Sequence, residues 1–116
     1  MSQHIVSTLS EIIGDLVWVQ LGWDKPLSEF YMVMFETVPD AEHYDEGRVI
    51  YSNELDPNGT GQGLDYFKGI ATKFGCDIPQ SLWLAAEGDK ALNVVNRTVF
   101  YSRTGDEIES PWSESD

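Results

Sequence analysis

Apolar and polar positions along the chain fall into short blocks whose period changes several times. Residues 4–13 fit two templates: Ile5, Leu9 and Ile12 lie at helical spacing, whereas Ile5-Val6-Ser7-Thr8 has the β-branched content of a strand. Gly14-Asp15 follows, then the apolar run Leu16-Val17-Trp18-Val19-Gln20-Leu21. A Gly-Asp pair between two apolar runs signals a two-residue hairpin, because glycine accepts the positive φ of a primed turn. A hairpin is therefore favoured over a helix. Trp23 to Leu27 is the next reversal, with Pro26 fixing φ and lacking a donor. Phe30 to Phe35 is apolar on both faces, the pattern of a central strand covered on both sides by helices or by another subunit.

Val38 to Gly47 is a polar, acidic loop, and Val49-Ile50-Tyr51 is a short strand. Asp56-Pro57-Asn58-Gly59, with Gly61 and Gly63, is a long turn. Leu64, Phe67, Ile70, Ala71 and Phe74 then recur at helical spacing, and Gly75 supplies a stop. Pro79 opens a second short helix carrying Leu82, Trp83, Ala85 and Ala86, with Gly88 closing it. Val94 to Tyr101 is the last strand, followed by an Arg103-Thr104-Gly105-Asp106 reversal. This order lacks a βαβ rhythm over most of its length. It predicts an α+β fold with a mainly antiparallel sheet of about five strands and a pair of helices inserted before the last strand. Residues 1–105 are expected to form the single domain, and residues 106–116 an acidic, mobile tail.

Composition supports a packed domain: the 116 residues are 41% hydrophobic and include 4 Trp, 5 Tyr and 5 Phe. Cys76 is the only cysteine, which excludes an intramolecular disulfide and a Cys-based zinc site. It sits between Gly75 and Asp77 with no base beside it, so a structural thiol is expected. No apolar run approaches the ~18 residues of a transmembrane helix. The first residues lack the basic and apolar regions of a signal peptide, so a cytoplasmic protein is expected.

Charge changes the picture most: 20 acidic against 7 basic residues give −13 at pH 7. Residues 1–38 hold 5 acidic and 1 basic residue, residues 39–65 hold 7 and 1, residues 66–105 hold 3 and 5, and the rest hold 5 acids. Such a surface repels phosphate backbones and anionic membranes and attracts basic proteins and cations. Neither direct nucleic-acid binding nor membrane binding is expected.

Asp40, Glu42, Asp45 and Glu46, with His43, form a dense acidic loop, but nothing in it matches an established ligand spacing. Asp56 to Gly61 resembles the first half of a calcium loop, yet position 12 is Phe67 where a bidentate Glu belongs. Gly59 to Gly63 precedes a helix without matching either phosphate-loop spacing. No cofactor or metal is indicated. Two histidines, His4 and His43, without a matched nucleophile do not build a triad, so the catalytic inventory is thin. Trp18, Trp23 and Trp83 are core residues by default. Trp23, beside Asp24 at a turn, is alternatively an exposed interface anchor. Trp112 in the tail either docks back on the domain or is a binding handle. Asn93, Asn96 and Arg97 sit on or beside the last strand, and Arg97 is a candidate buried partner for one of the many acids.

Gly22-Trp23-Asp24-Lys25-Pro26-Leu27, Tyr51-Ser52-Asn53 and Asn93-Val94-Val95-Asn96-Arg97 resemble segments of small uncharacterised bacterial proteins with no assigned activity. The resemblance covers 14 residues as islands. It implies a bacterial origin and a compact single domain, and transfers no catalytic role.

The leading expectation is a small non-enzymatic interaction module that docks a basic protein partner or another copy of itself. In a more specific form its carboxylates imitate phosphates, and it acts as a nucleic-acid mimic or inhibitor. The alternative is a small-molecule or cation-binding domain with an aromatic-lined pocket between sheet and helices, involving Asn93, Asn96 and Arg97. A carboxylate-based enzyme requires two acids sharing a cleft, with one pKa raised. The doubly apolar strand at 30–35 separately predicts a homodimer.

Overall fold

The computed structural model describes residues 1–110. Three long strands open the chain: β1 (Ser2–Ser10), β2 (Asp15–Asp24) and β3 (Glu29–Glu36). A loop containing a single 3-10 turn at Tyr44–Glu46 leads to β4 (Val49–Ser52). Helices α1 (Leu64–Lys73) and α2 (Gln80–Leu92) follow, then β5 (Arg97–Tyr101) and β6 (Glu107–Ile108). One six-stranded sheet takes the order β4-β3-β2-β1-β5-β6. Among the described residues only the β1–β5 pair is parallel. The helices carry the chain from β4 at one edge back to β5 beside β1, which makes the fold α+β and mostly antiparallel.

Alternation along the strands sorts their side chains onto two faces. Val6, Val19 and Met34 stand in cross-strand register, as do His4, Leu21 and Met32. Together with Trp23 and Phe30 they face α1 and α2, where Phe67, Leu82, Trp83 and Ala86 complete the core. Fully burying an apolar side chain of this size contributes about 1.5–3 kcal/mol, so this layer is the main source of stability. The opposite face carries Ile5, Trp18, Gln20, Tyr31, Val33 and Phe35. Strand β3 is thus apolar on both sides as expected, but it lies second from the edge. Its second face is covered in part by the chain's own loop, not solely by helices or another subunit.

Four details differ from the sequence expectation. The first hairpin has a four-residue turn over 11–14, because β1 runs to Ser10 and pairs there with Asp15. Ser10 is held in place by its hydroxyl, which donates to the Phe74 carbonyl at 2.6 Å, and Gly14, at φ +80°, closes the turn with an N–H···O bond to Ser10 at 2.8 Å. Helix α2 passes through the exposed Gly88, since buried Asp89 must stay on its inner face; Asn93, at φ +51°, ends it instead. The last long strand begins at Arg97, because Val94 still donates its N–H to the Asp89 carbonyl. The Ser102–Asp106 reversal feeds a sixth strand, so Glu107 and Ile108 of the expected tail pair with Tyr101 and Phe100. Trp112, with the rest of residues 111–116, lies outside the described residues.

Candidate functional site

The loop from Thr37 to Gly47 crosses the helix-free face as a strap. Its start is pinned by the Thr37 hydroxyl, which donates to the Leu16 carbonyl at 2.8 Å. At its end Gly47 passes so close to β3 that a Cβ there would stand 1.8 Å from the Glu36 carbonyl oxygen, and Glu36 and Arg48 pair at 2.7 Å. Between these points Tyr44 is the anchor. Its ring lies 6.0 Å from Trp18, 6.0 Å from Phe35 and 6.1 Å from Phe100, thereby spanning β2, β3 and β5. Its hydroxyl donates to Gln20 Oε1. Partial burial raises the Tyr44 phenol to about 12, with the Asp45 carboxylate adding to the shift, so it remains a donor at neutral pH.

With Tyr44 turned inward, its polar neighbours face solvent. Asp40, Glu42, His43, Asp45 and Glu46 are all exposed, and the Glu46 carboxylate accepts the His43 N–H at 2.6 Å. A hollow of about 190 Å³ on the same face is lined in part by Gln20 and Phe35, the residues that Tyr44 contacts. Gln20, Tyr31, Val33 and Phe35 contribute to its walls, along with Asp24, Glu29 and Glu54. Among the described residues no Lys, Arg or His side chain lines it, although Met1, which bears the N-terminal ammonium, does. Asp24 and Glu29 are direct cross-strand partners, an arrangement that destabilises a sheet when the charges are alike. Part of the strain is relieved locally, since Glu29 Oε2 accepts the Gly61 N–H at 3.0 Å and Asp24 Oδ1 accepts that of Leu27 at 3.4 Å.

A hydrogen-bonded chain runs from this face through the sheet. Gln20 Nε2 donates to the Tyr31 hydroxyl at 3.0 Å, and Tyr31 donates to the Ser2 carbonyl at 2.6 Å. Tyr31 reaches β1 by passing over Gly22, its cross-strand partner. A Cβ at Gly22 would stand 2.1 Å from that same Ser2 oxygen. On the helix side, the Ser2 hydroxyl meets both the Trp23 N–H and the Asp89 carboxylate.

Asp89 is the centre of the second polar group. His4 Nε2 lies 2.6 Å from its Oδ2, Arg97 donates to its Oδ1 at 3.1 Å, and the Tyr101 hydroxyl lies 2.9 Å from His4 Nδ1. Burial pushes the Asp89 carboxyl upward, but hydrogen bonds from His4 and Ser2 and the charges of His4 and Arg97 outweigh it, leaving Asp89 ionised. Burial holds His4 below the usual imidazole range, against the pull of Asp89. A neutral ring satisfies both contacts: Nε2–H donates to Asp89 and Nδ1 accepts from Tyr101. His4 and Asp89 are fully buried, and the network they form with Arg97 and Tyr101 ties α2 and β5 to β1.

The residues singled out in the sequence therefore divide. Asp24 and the strap acids share the helix-free side. Trp23 is buried in the core, its indole donating to Asn93 Oδ1 at 3.2 Å, and Arg97 serves Asp89. Asn96 is exposed just before β5. Asp89, Tyr101 and the anchoring role of Tyr44 escape the sequence reading. The signal for Asp89 is its place on the apolar stripe Leu82–Ala86, where a charge needs a buried partner. Among the described residues no group of three or more His, Cys, Asp or Glu side chains is arranged to hold a metal ion, and no helix is long and apolar enough to cross a membrane. Comparison with protein-family models, curated proteins and solved structures finds no match for the chain.

Proposed function

We propose that the protein is a small non-enzymatic interaction module that binds a basic protein partner through the helix-free side of its sheet. One observation carries this reading: Tyr44, through Gln20 and Phe35, joins the strap acids and the hollow acids on one face. Asp24, Glu29 and Glu54 line a concavity without Lys, Arg or His side chains, and Asp40, Glu42, Asp45 and Glu46 are exposed on the strap that Tyr44 ties to Gln20 and Phe35 of its wall. A cationic partner removes the repulsion between Asp24 and Glu29, whereas a second copy docking through this face brings two acidic surfaces together. A basic partner is thus favoured over self-association here. Spaced carboxylates also suit nucleic-acid mimicry, the narrower form of the same proposal, and a cytoplasmic setting accords with it.

The test is titration with a short Arg/Gly peptide, followed by backbone amide shifts at two salt concentrations. Shifts concentrated at residues 24–31, 40–46 and 54, with binding that weakens steeply as salt rises, support the proposal. Salt-insensitive binding, or shifts on the helix side, contradict it.

A further inference from the structure

A larger cleft, of about 570 Å³, opens on the helix side between β4, α1 and the β1–β2 turn. This volume is in the range that holds a small organic ligand. Ile50, Ile70 and Phe74 make its walls apolar, and Ile12 and Leu55, which also line it, are 69% and 76% exposed. Large aliphatic side chains left open to water beside a cleft offer a ready gain to an apolar ligand.

Two opposite charges are set into this lining. Asp56 is fixed by three donors: the Tyr51 and Tyr66 hydroxyls reach its Oδ2 at 2.8 and 2.6 Å, and the Asn58 N–H reaches Oδ1 at 2.9 Å. The Tyr66 bond foremost, then those of Asn58 and Tyr51, hold its carboxyl below the ordinary range, so it is an oriented anion. Lys73, in the last turn of α1, lines the same cleft and lies near enough for its charge to favour that anion. Among the described residues, however, no ion pair within 4.0 Å joins Lys73 to Asp56. The cleft thus presents an oriented carboxylate and a separate ammonium over one apolar wall.

We propose that this cleft binds a small zwitterion with a large apolar side group, a free amino acid or dipeptide, its ammonium on Asp56, its carboxylate on Lys73 and its side chain against Ile50, Ile70 and Phe74. A ligand of this class meets both charges at once. A purely cationic one approaches Lys73 at a cost, and a purely anionic one approaches Asp56 at a cost. The site shares no residue with the strap or with the Asp24–Glu29–Glu54 carboxylates, so it stands or falls independently of basic-partner binding.

Phenylalanine and leucyl-phenylalanine, titrated into the full chain and followed by amide shifts, provide the test; phenethylamine and 3-phenylpropionate serve as single-charge controls. At least one zwitterion is expected to bind about tenfold or more tightly than both controls, the size expected from one additional charge-assisted hydrogen bond. Its shifts should fall at residues 50–58 and 66–74, and the tighter of the two identifies the source. Lys73→Met should abolish the preference while leaving the thermal midpoint close to that of the parent, and Asp56→Asn should abolish it with some loss of thermal midpoint, because its carboxylate also accepts from Tyr51, Tyr66 and Asn58. Equal binding of a control, shifts outside the cleft, or no binding by any of the four at about 10 mM, weaker than typical metabolite affinities, overturns the proposal.

Discussion

The Tyr44 hydroxyl donates to the Gln20 side chain from across the helix-free face, tying an acidic loop to the central strand β2. That bond and the aromatic contacts around it hold the strap that carries Asp40, Glu42, Asp45 and Glu46 against the face on which Asp24 and Glu29 also lie. Removing the anchor should therefore change both stability and recognition. Tyr44→Phe leaves Gln20 Oε1 without its donor and should lower stability by about 1 kcal/mol. Tyr44→Ala also loses the ring contacts and should cost about 2–3 kcal/mol, below the usual value for a fully buried aromatic. Urea denaturation measures both. The alanine variant should also bind the Arg/Gly peptide more weakly, because the strap acids are no longer held over the sheet.

Gly22 is required for a different reason. An alanine methyl group would meet the Ser2 carbonyl oxygen, a backbone atom that Tyr31 also uses. Gly22→Ala should destabilise the fold by about 2 kcal/mol, as overpacking does where the backbone must shift. Loss of protection at the Trp23 amide, which donates to the Ser2 hydroxyl, should accompany it in hydrogen exchange.

The buried histidine gives stability a dependence on pH with a definite sign. His4 is held below its usual value of 6.5 in the folded chain, by burial above all, with the Arg97 charge acting in the same direction and Asp89 and Glu107 opposing it. Between the folded and unfolded values the unfolded chain binds more protons, so stability should fall as pH drops below 6.5 and continue falling to the folded pKa. Asp89, itself held below 3.8, adds a second loss at more acid pH. Thermal midpoints from pH 8 to pH 5 should show the first decline, and His4→Asn should flatten it. An unchanged slope in that variant would assign the decline to other groups.

Asp89→Asn should be the most damaging single change in this group. It removes the charge that pairs with Arg97 and alters the fully buried partner of His4. Breaking a buried pair typically costs about 3–5 kcal/mol, and the 44% exposure of Arg97 places the value at the lower end. Guanidinium denaturation would measure the loss.

Much of this architecture is legible along the chain because alternation and helical spacing report directly on burial. The Phe30–Phe35 block shows both faces covered, and Leu64 to Phe74 shows one helical stripe. Local sequence says less where a distant contact decides. Gly88 looks like a helix stop, but Asp89 keeps α2 going by reaching His4, 85 positions away. The strap is rich in acids, and its aromatic anchor, Tyr44, is recognisable only once Trp18, Phe35 and Phe100 have been brought together. The acids themselves are plain in composition, but their gathering on one face depends on strand register, which pairs Asp24 with Glu29.

The central claim, that the hollow and strap form a face for a basic partner, is tested most directly by neutralising the hollow without changing its shape. In Asp24→Asn/Glu29→Gln/Glu54→Gln, the side chains retain their size and an oxygen acceptor while the like-charge repulsion is removed. The predicted result is binding of the Arg/Gly peptide weakened about tenfold or more, with stability equal to or above that of the parent. Unchanged peptide affinity in a folded triple variant would contradict it.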